Sequence, residues 1–227
     1  MRNYLLVVLF CLAQVVSAQK VYLTKVEKTS DNKDKFFYSL NNGSSDAEYL
    51  GEIEVQGYSR DDAGIFSMIY KKAKEIGANA FAWKPFETID GKTEPFNPAN
   101  YKLGLYYISK DKISDQAGYL YLFASADKDQ KIAVNDKDYT IIPRSYLKLQ
   151  IVPNQVYSIS TKKLLGSSIK VQPKSGDQNM YFQVSSAKVK ADHSGVGGLN
   201  LKSGDIIGLE KSFAEFLSVI YDQVKLN

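Results

Sequence analysis

Between Tyr49 and Thr88 the hydrophobic period of the sequence changes from two to about 3.6 and back, and this strand–helix–strand signature limits the fold more than any other feature. Leu50, Ile53 and Val55, interleaved with Glu52, Glu54 and Gln56, approximate the alternation of a half-buried strand that ends at Gly57. Ser59 is expected to open the helix, its hydroxyl accepting the backbone N–H of Asp62 or a neighbour, with Asp61 and Asp62 at the positive end of the helix dipole. Ile65, Phe66, Ile69, Ala73 and Ile76 recur at steps of three and four and make one apolar face, opposite Lys71, Lys72, Lys74 and Glu75. Gly77 follows as a left-handed cap, and Ala78 to Trp83 leads into a second strand.

The segment Ala73-Lys74-Glu75-Ile76-Gly77-Ala78-Asn79-Ala80-Phe81 resembles the helix end and strand start of small α+β domains in bacterial envelope proteins, including the group described as heavy-metal-binding domains. The likeness implies a fold in which small alanines let the helix end approach the sheet. It implies no metal site, because the segment holds neither Cys nor His.

Beyond this unit, Asp90 to Pro98 carries two prolines and a glycine and reads as a surface loop. Tyr101 to Ser109 reads as a further strand, with Leu103, Leu105 and Tyr107 on one face. A domain boundary is placed near residue 112. From Gly118 the texture changes to short apolar runs: Tyr119 to Ala124, Lys131 to Val134, Tyr139 to Ile142, Tyr146 to Ile151, Gln155 to Ser160, Ser168 to Val171 and Met180 to Lys190. Turn residues such as Asn135, Asp136, Pro143, Pro153, Asn154 and Pro173 separate them, which predicts a β-sandwich. The order of strand, short polar turn, strand, Pro-Asn turn and strand also resembles small sandwich domains of exported bacterial proteins, a likeness that implies fold alone. The chain closes on a helix in which Leu209, Phe213, Phe216, Leu217, Ile220 and Val224 form a wide apolar stripe, with Glu210, Lys211, Glu215 and Asp222 opposite. Two uses of that stripe stand open: packing on the sheet or on the first domain, or docking a partner or a membrane through Leu209, Phe213, Phe216, Leu217 and Ile220, with the mixed-sign polar face weighing against the membrane.

Residues 1 to 18 read as a signal peptide, with Arg2 ahead of the apolar run Leu5 to Val16 and Val16-Ser17-Ala18 as the cleavage site. The apolar core is short of the roughly 20 residues that span a bilayer. Cys11 follows Leu9 and Phe10 where a lipidation signal wants small residues. Removal of this segment takes away the one cysteine and with it disulfides, thiolate chemistry and cysteine metal sites. Formal charge falls from +4 to +3 with the loss of Arg2, and only Arg60 and Arg144 remain as arginines, which disfavours a nucleic-acid role. No other segment approaches transmembrane length.

Chemistry has few candidates. His193, the one histidine, sits beside Asp192 and the run Gly195-Val196-Gly197-Gly198, but residues adjacent in sequence do not give triad geometry and no Gly-x-Ser-x-Gly elbow is present. The glycines lack the following Gly-Lys-Ser or Gly-Lys-Thr of a phosphate loop. Asp127, Asp129, Asp136 and Asp138 surround a predicted hairpin and suggest calcium, against which stand the interspersed Lys128, Lys131 and Lys137 and ordinary turn composition. Glu52 and Glu54 share a strand face, the pattern from which a carboxylate hydrolase would be built. The 16 tyrosines, all but Tyr4 beyond the signal, suggest a binding surface.

The expectation is therefore an α+β fold: a signal peptide at 1–18, a strand–helix–strand α+β domain at 19–112, an antiparallel β-sandwich at 113–190, and a Gly-rich loop with a C-terminal amphipathic helix at 191–227. The expected function is non-catalytic binding to another envelope or secreted protein, in the periplasm or outside the cell, with no catalytic residue, cofactor or metal ligand nominated. The alternative is a carboxylate-based hydrolase acting on carbohydrate or cell-wall material.

Overall fold

The computed structural model describes residues 19–40, 46–113, 118–162, 166–176, 178–185, 202–203 and 205–226. Strands β1 (Lys20–Val26), β2 (Tyr38–Ser39), β3 (Glu48–Gln56), β4 (Ala80–Lys84) and β5 (Asn100–Tyr107) form an N-terminal sheet in the order β1-β3-β5-β4-β2, antiparallel except for the β2–β4 pair. Helix α1 (Asp62–Glu75) joins β3 to β4. The break in the alternation of β3, where Leu50 is out of phase with Ile53 and Val55, has a local cause: a bulge between Tyr49 and Gly51 restores the phase, and all three side chains are fully buried. Asp61, not Ser59, is the N-cap of α1: its carboxylate accepts from Gly64 N at 2.9 Å, and the Ser59 hydroxyl supports the turn by accepting from Asp61 N.

The end of α1 explains the Gly-Ala-Asn-Ala stretch. Gly77 takes φ +77°, with Gly77 N and Ala78 N donating to the carbonyls of Lys74 and Ala73. A Cβ on Gly77 would overlap the carbonyl of Ser30, so the N-terminal segment can pass against this turn only over a glycine. Asn79, 1% exposed, then acts as a side-chain extension of the sheet: its amide donates to Ile108 O and accepts from Ile108 N, both at 2.8 Å.

The sandwich is mixed rather than wholly antiparallel. Strands β6 (Tyr119–Ala124), β9 (Ser145–Gln150), β12 (Met180–Val184), β13 (Lys202–Ser203), β14 (Ile206–Gly208) and β15 (Asp222–Gln223) form a sheet in the order β13-β14-β12-β6-β9-β15, in which β12–β6 and β15–β9 are parallel. Strands β7 (Gln130–Val134), β8 (Lys137–Ile141), β10 (Tyr157–Thr161) and β11 (Ser168–Val171) form the facing sheet, β11-β10-β7-β8. Leu120, Leu122, Leu147 and Phe182 from the first meet Ile132, Ile141, Ile159 and Val171 from the second in one apolar cluster.

The intervening residues of β6 and β9 account for the unbroken apolar runs read in the sequence. Phe123 and Tyr146 point away from the sandwich core into a second cluster, shared with Ile53, Phe66, Ile69, Phe81, Leu103 and Leu105 of the N-terminal unit. Helix α2 (Lys211–Ile220) completes that cluster with Ala214, Phe216, Leu217 and Ile220. The cluster thus crosses the boundary expected near residue 112, which itself falls at a 3-10 turn, Lys110–Lys112. No helix among the described residues is long and apolar enough to cross a membrane.

Asn79→Ala removes both amide bonds and leaves the buried backbone of Ile108 unsatisfied; the expected loss is about 2–4 kcal/mol, read as a lower midpoint in urea denaturation.

Candidate functional site

Both helices and the sandwich lie against one face of the N-terminal sheet; on the other, Tyr38, Ala80 and Ile108 form a small buried cluster with Leu40, Ala47, Tyr106 and Ile113 at the β4–β2 end, and the open part is carried by the side chains of β1, β3 and β5 and by Lys84. The strand register lays out this open face in rows. Ala80, Tyr106 and Tyr49 are aligned across β4, β5 and β3; the next row is Ala82, Gly104, Glu52 and Lys25; the third is Lys84, Lys102, Glu54 and Tyr22.

Glu52 is the centre of the face. Its Oε1 accepts from the Tyr49 hydroxyl at 2.6 Å and from the Lys84 ammonium, which reaches back from the third row. The side chain of Glu52 is 12% exposed and that of Lys84 46%. Burial pushes the Glu52 carboxyl up, but the bonds from Lys84 and Tyr49 and the charges of Lys84 and Lys102 outweigh it, so the group lies below the ordinary glutamate range. Tyr49 responds in the opposite direction: burial and the donated bond to Glu52 hold its phenol far above the usual tyrosine value.

Aromatic rings frame this carboxylate. A Cβ on Gly104 would lie 2.8 Å from Tyr106 Oη and 3.1 Å from its Cζ, so the Tyr106 ring lies down across the glycine. Tyr49 stands beside it, ring centroids 5.6 Å apart and planes at 67°. Lys25 Nζ and Lys84 Nζ lie 5.4 and 5.6 Å from the Tyr49 centroid, and Lys102 Nζ lies 4.4 Å from that of Phe86. Chemically the arrangement can accept and donate hydrogen bonds and stack. Glu52 is held ionised by Lys84 and Tyr49, and Glu54 accepts from Gln56 Nε2 at 2.7 Å.

A second polar cluster is buried where the sandwich meets the N-terminal unit. Asp62, in the first turn of α1, accepts from Arg144 Nη2 at 2.8 Å and from the Tyr221 hydroxyl at 2.7 Å. Arg144 adopts φ +53° between β8 and β9, also donates to Ser59 O at 2.8 Å, and lies between the rings of Tyr58 and Tyr221. Burial raises the Asp62 carboxyl against the pull of Arg144 and Tyr221; burial also opposes the Arg144 charge, but Asp62 and the tyrosines raise it overall. This cluster joins α1, the β8–β9 turn and the end of α2 through bonds within the chain.

The stripe nominated from the sequence has an internal use. Phe216, Leu217 and Ile220 are 0–5% exposed in the shared core, and Leu209 and Phe213 are half-buried against the same cluster. Packing therefore takes the face that docking would need, because the stripe lies where the six-stranded sheet and α1 converge. His193, Asp192 and the glycine run lie outside the described residues. Of the four aspartates suggested for calcium, Asp127 pairs with Arg60 and Asp138 with Lys162, and no three metal-type side chains come together among the described residues. The sequence pointed to Glu52 and Glu54 as a pair but not to Tyr49, Lys84 and Tyr106, whose convergence depends on the β3 bulge and on pairing across three strands.

Arg144→Met leaves Asp62 buried without its cation and is expected to cost about 3–5 kcal/mol in urea denaturation, much of it regained when Asp62→Asn is added. Glu52→Gln gives a pH-dependent loss. Because the folded group lies below its unfolded value, its contribution is present above about pH 4.3 and fades as pH falls through the folded value; wild type exceeds the variant by about 1–2 kcal/mol at neutral pH, and the gap closes in acid. Comparison with protein-family models, with curated proteins and with solved structures finds no match to this chain.

Proposed function

We propose that the protein is exported and acts without catalysis, binding another component of the cell envelope or secretome through the open face of its N-terminal sheet. The observation that carries this reading is the state of Glu52: an ionised carboxylate fixed by Lys84 and Tyr49 on a tyrosine-bearing face. A hydrolase needs a carboxylic acid raised toward the working pH beside a second carboxylate at a set spacing. Asp62 is raised, but it is enclosed by Arg144 and Tyr221. A binding face, in contrast, gains from groups whose protonation and rotamers are fixed in advance, because less freedom is lost on association. Export rests on the sequence of residues 1–18, with Arg2, the apolar run and Val16-Ser17-Ala18.

Co-sedimentation tests this function. The purified protein is expected to pellet with the insoluble envelope fraction of its source cells, and the Tyr49→Ala, Tyr106→Ala double variant to remain in the supernatant at least about tenfold more, with its melting curve still cooperative. Release of soluble fragments from the fraction, or equal pelleting of the variant, overturns the reading.

A further inference from the structure

The open face has three properties that together restrict what it can hold, given the binding role proposed above. First, its charge is balanced: Lys25, Lys84 and Lys102 stand among Glu27, Glu52 and Glu54, with Lys25 paired to Glu27 and Lys84 to Glu52. Such a face has no field with which to collect a polyanion or a polycation. Second, its hydrogen-bonding capacity is incompletely used. Both bonds to Glu52 end on Oε1; Oε2 accepts from no group among the described residues, and the side chain keeps 12% exposure. The Lys84 ammonium gives one of its three donors to Glu52. Third, the Tyr106 ring lies over Gly104 beside the Glu52 row and is only partly buried where it packs on the cluster of Tyr38, Ala80 and Ile108.

A flat ring beside a fixed acceptor and a fixed donor suits a ligand with alternating C–H faces and hydroxyl edges and no net charge. We propose that this face binds an uncharged polysaccharide, one sugar ring resting on Tyr106, with one hydroxyl donating to Glu52 Oε2 and another accepting from the Lys84 ammonium. An extended chain is favoured over a single sugar because the rows continue past Glu52 to Lys102, Glu54 and Tyr22, whereas on the other side the face ends at the buried cluster of Tyr38, Ala80 and Ile108. A protein partner is the less suited occupant, since the centre of a protein interface is depleted in charge and the centre of this face is an ion pair.

Affinity electrophoresis in native gels containing laminarin, hydroxyethylcellulose, xyloglucan or galactomannan tests this, with polygalacturonate as the charged comparison. At least one neutral polymer is expected to retard the purified protein. Tyr106→Ala and Glu52→Gln are each expected to weaken that retardation by about tenfold or more, whereas Tyr106→Phe and Val152→Ala, the latter exposed on the sandwich, leave it unchanged. No retardation by any neutral polymer, retardation that survives both Tyr106→Ala and Glu52→Gln, or stronger retardation by polygalacturonate overturns the assignment. Pelleting with the envelope fraction that depends on Tyr49 and Tyr106 but is abolished by prior protease treatment of that fraction also overturns it, while leaving the broader binding role intact.

Discussion

The enclosure of Asp62 by Arg144 and Tyr221 sets the arrangement of everything around it. A carboxylate this deeply buried is tolerated only if its charge is met at close range. Asp62 belongs to α1, Arg144 to the β8–β9 turn, and Tyr221 to the end of α2, so meeting the charge requires three distant stretches of chain to converge. Arginine suits the position because its flat guanidinium lies against two tyrosines while Nη2 serves both Asp62 and the Ser59 carbonyl; Nε is buried without a partner among the described residues. The backbone takes part as well: Asp222 N donates to Arg144 O, which begins the parallel pairing of β15 with β9. Apolar packing in the shared core supplies attraction without direction, and this cluster supplies the direction.

Helix α2 has a second duty that follows from its place. Strand β2 is the edge of the N-terminal sheet, and its outward N–H groups would otherwise be open to pairing with another chain. Ser212 Oγ accepts from Phe37 N at 3.0 Å and Glu215 Oε2 accepts from Ser39 N at 2.7 Å, so the polar side of the helix closes the edge whose apolar neighbours its other side packs against. Lys74 anchors the approach to β2 by donating to the carbonyls of Asp34, Phe36 and Ala78 at 2.7, 2.9 and 3.1 Å. Burial pushes its ammonium down to about 8, opposed by the charge of Asp34, and three carbonyl acceptors hold the proton in place.

Local periodicity was enough to find α1, α2, β3 to β5 and most sandwich strands, because their alternation or 3.6-residue repeat is set by burial on a single face. It failed where geometry is decided at long range. Strand β1 was not read, since its outward side is exposed and its pattern is interrupted by the shift between Leu23 and Lys25. The parallel β6–β12 pair joins residues some 60 apart along the chain, and no local pattern encodes such a partner. Arg144 left one trace, being one of two arginines beyond the signal segment and next to Pro143, but its partner Asp62 looked like an ordinary first-turn acid. The candidate site was half legible: Glu52 and the wealth of tyrosine were visible, but neither the reach of Lys84 nor the posture of Tyr106 could be.

The same long-range assembly explains why the proposed binding face is on the N-terminal sheet and not on the helix that the sequence made conspicuous. A wide apolar stripe such as that of α2 is strongly driven to bury itself within its own chain, and here two sheets and α1 offer it a place. What remains at the surface must be polar enough to stay in water yet rigid enough to recognise a ligand. A central sheet strand with a bulge, a small residue beneath a flattened ring and a cross-strand ion pair meet both demands: β3 is held by β1 and β5 on its two sides, so Glu52 and Tyr49 have little freedom to lose. The bulge at Tyr49–Gly51 is what brings the tyrosine onto the same face as the glutamate, and without it the hydroxyl that fixes Glu52 would point into the core.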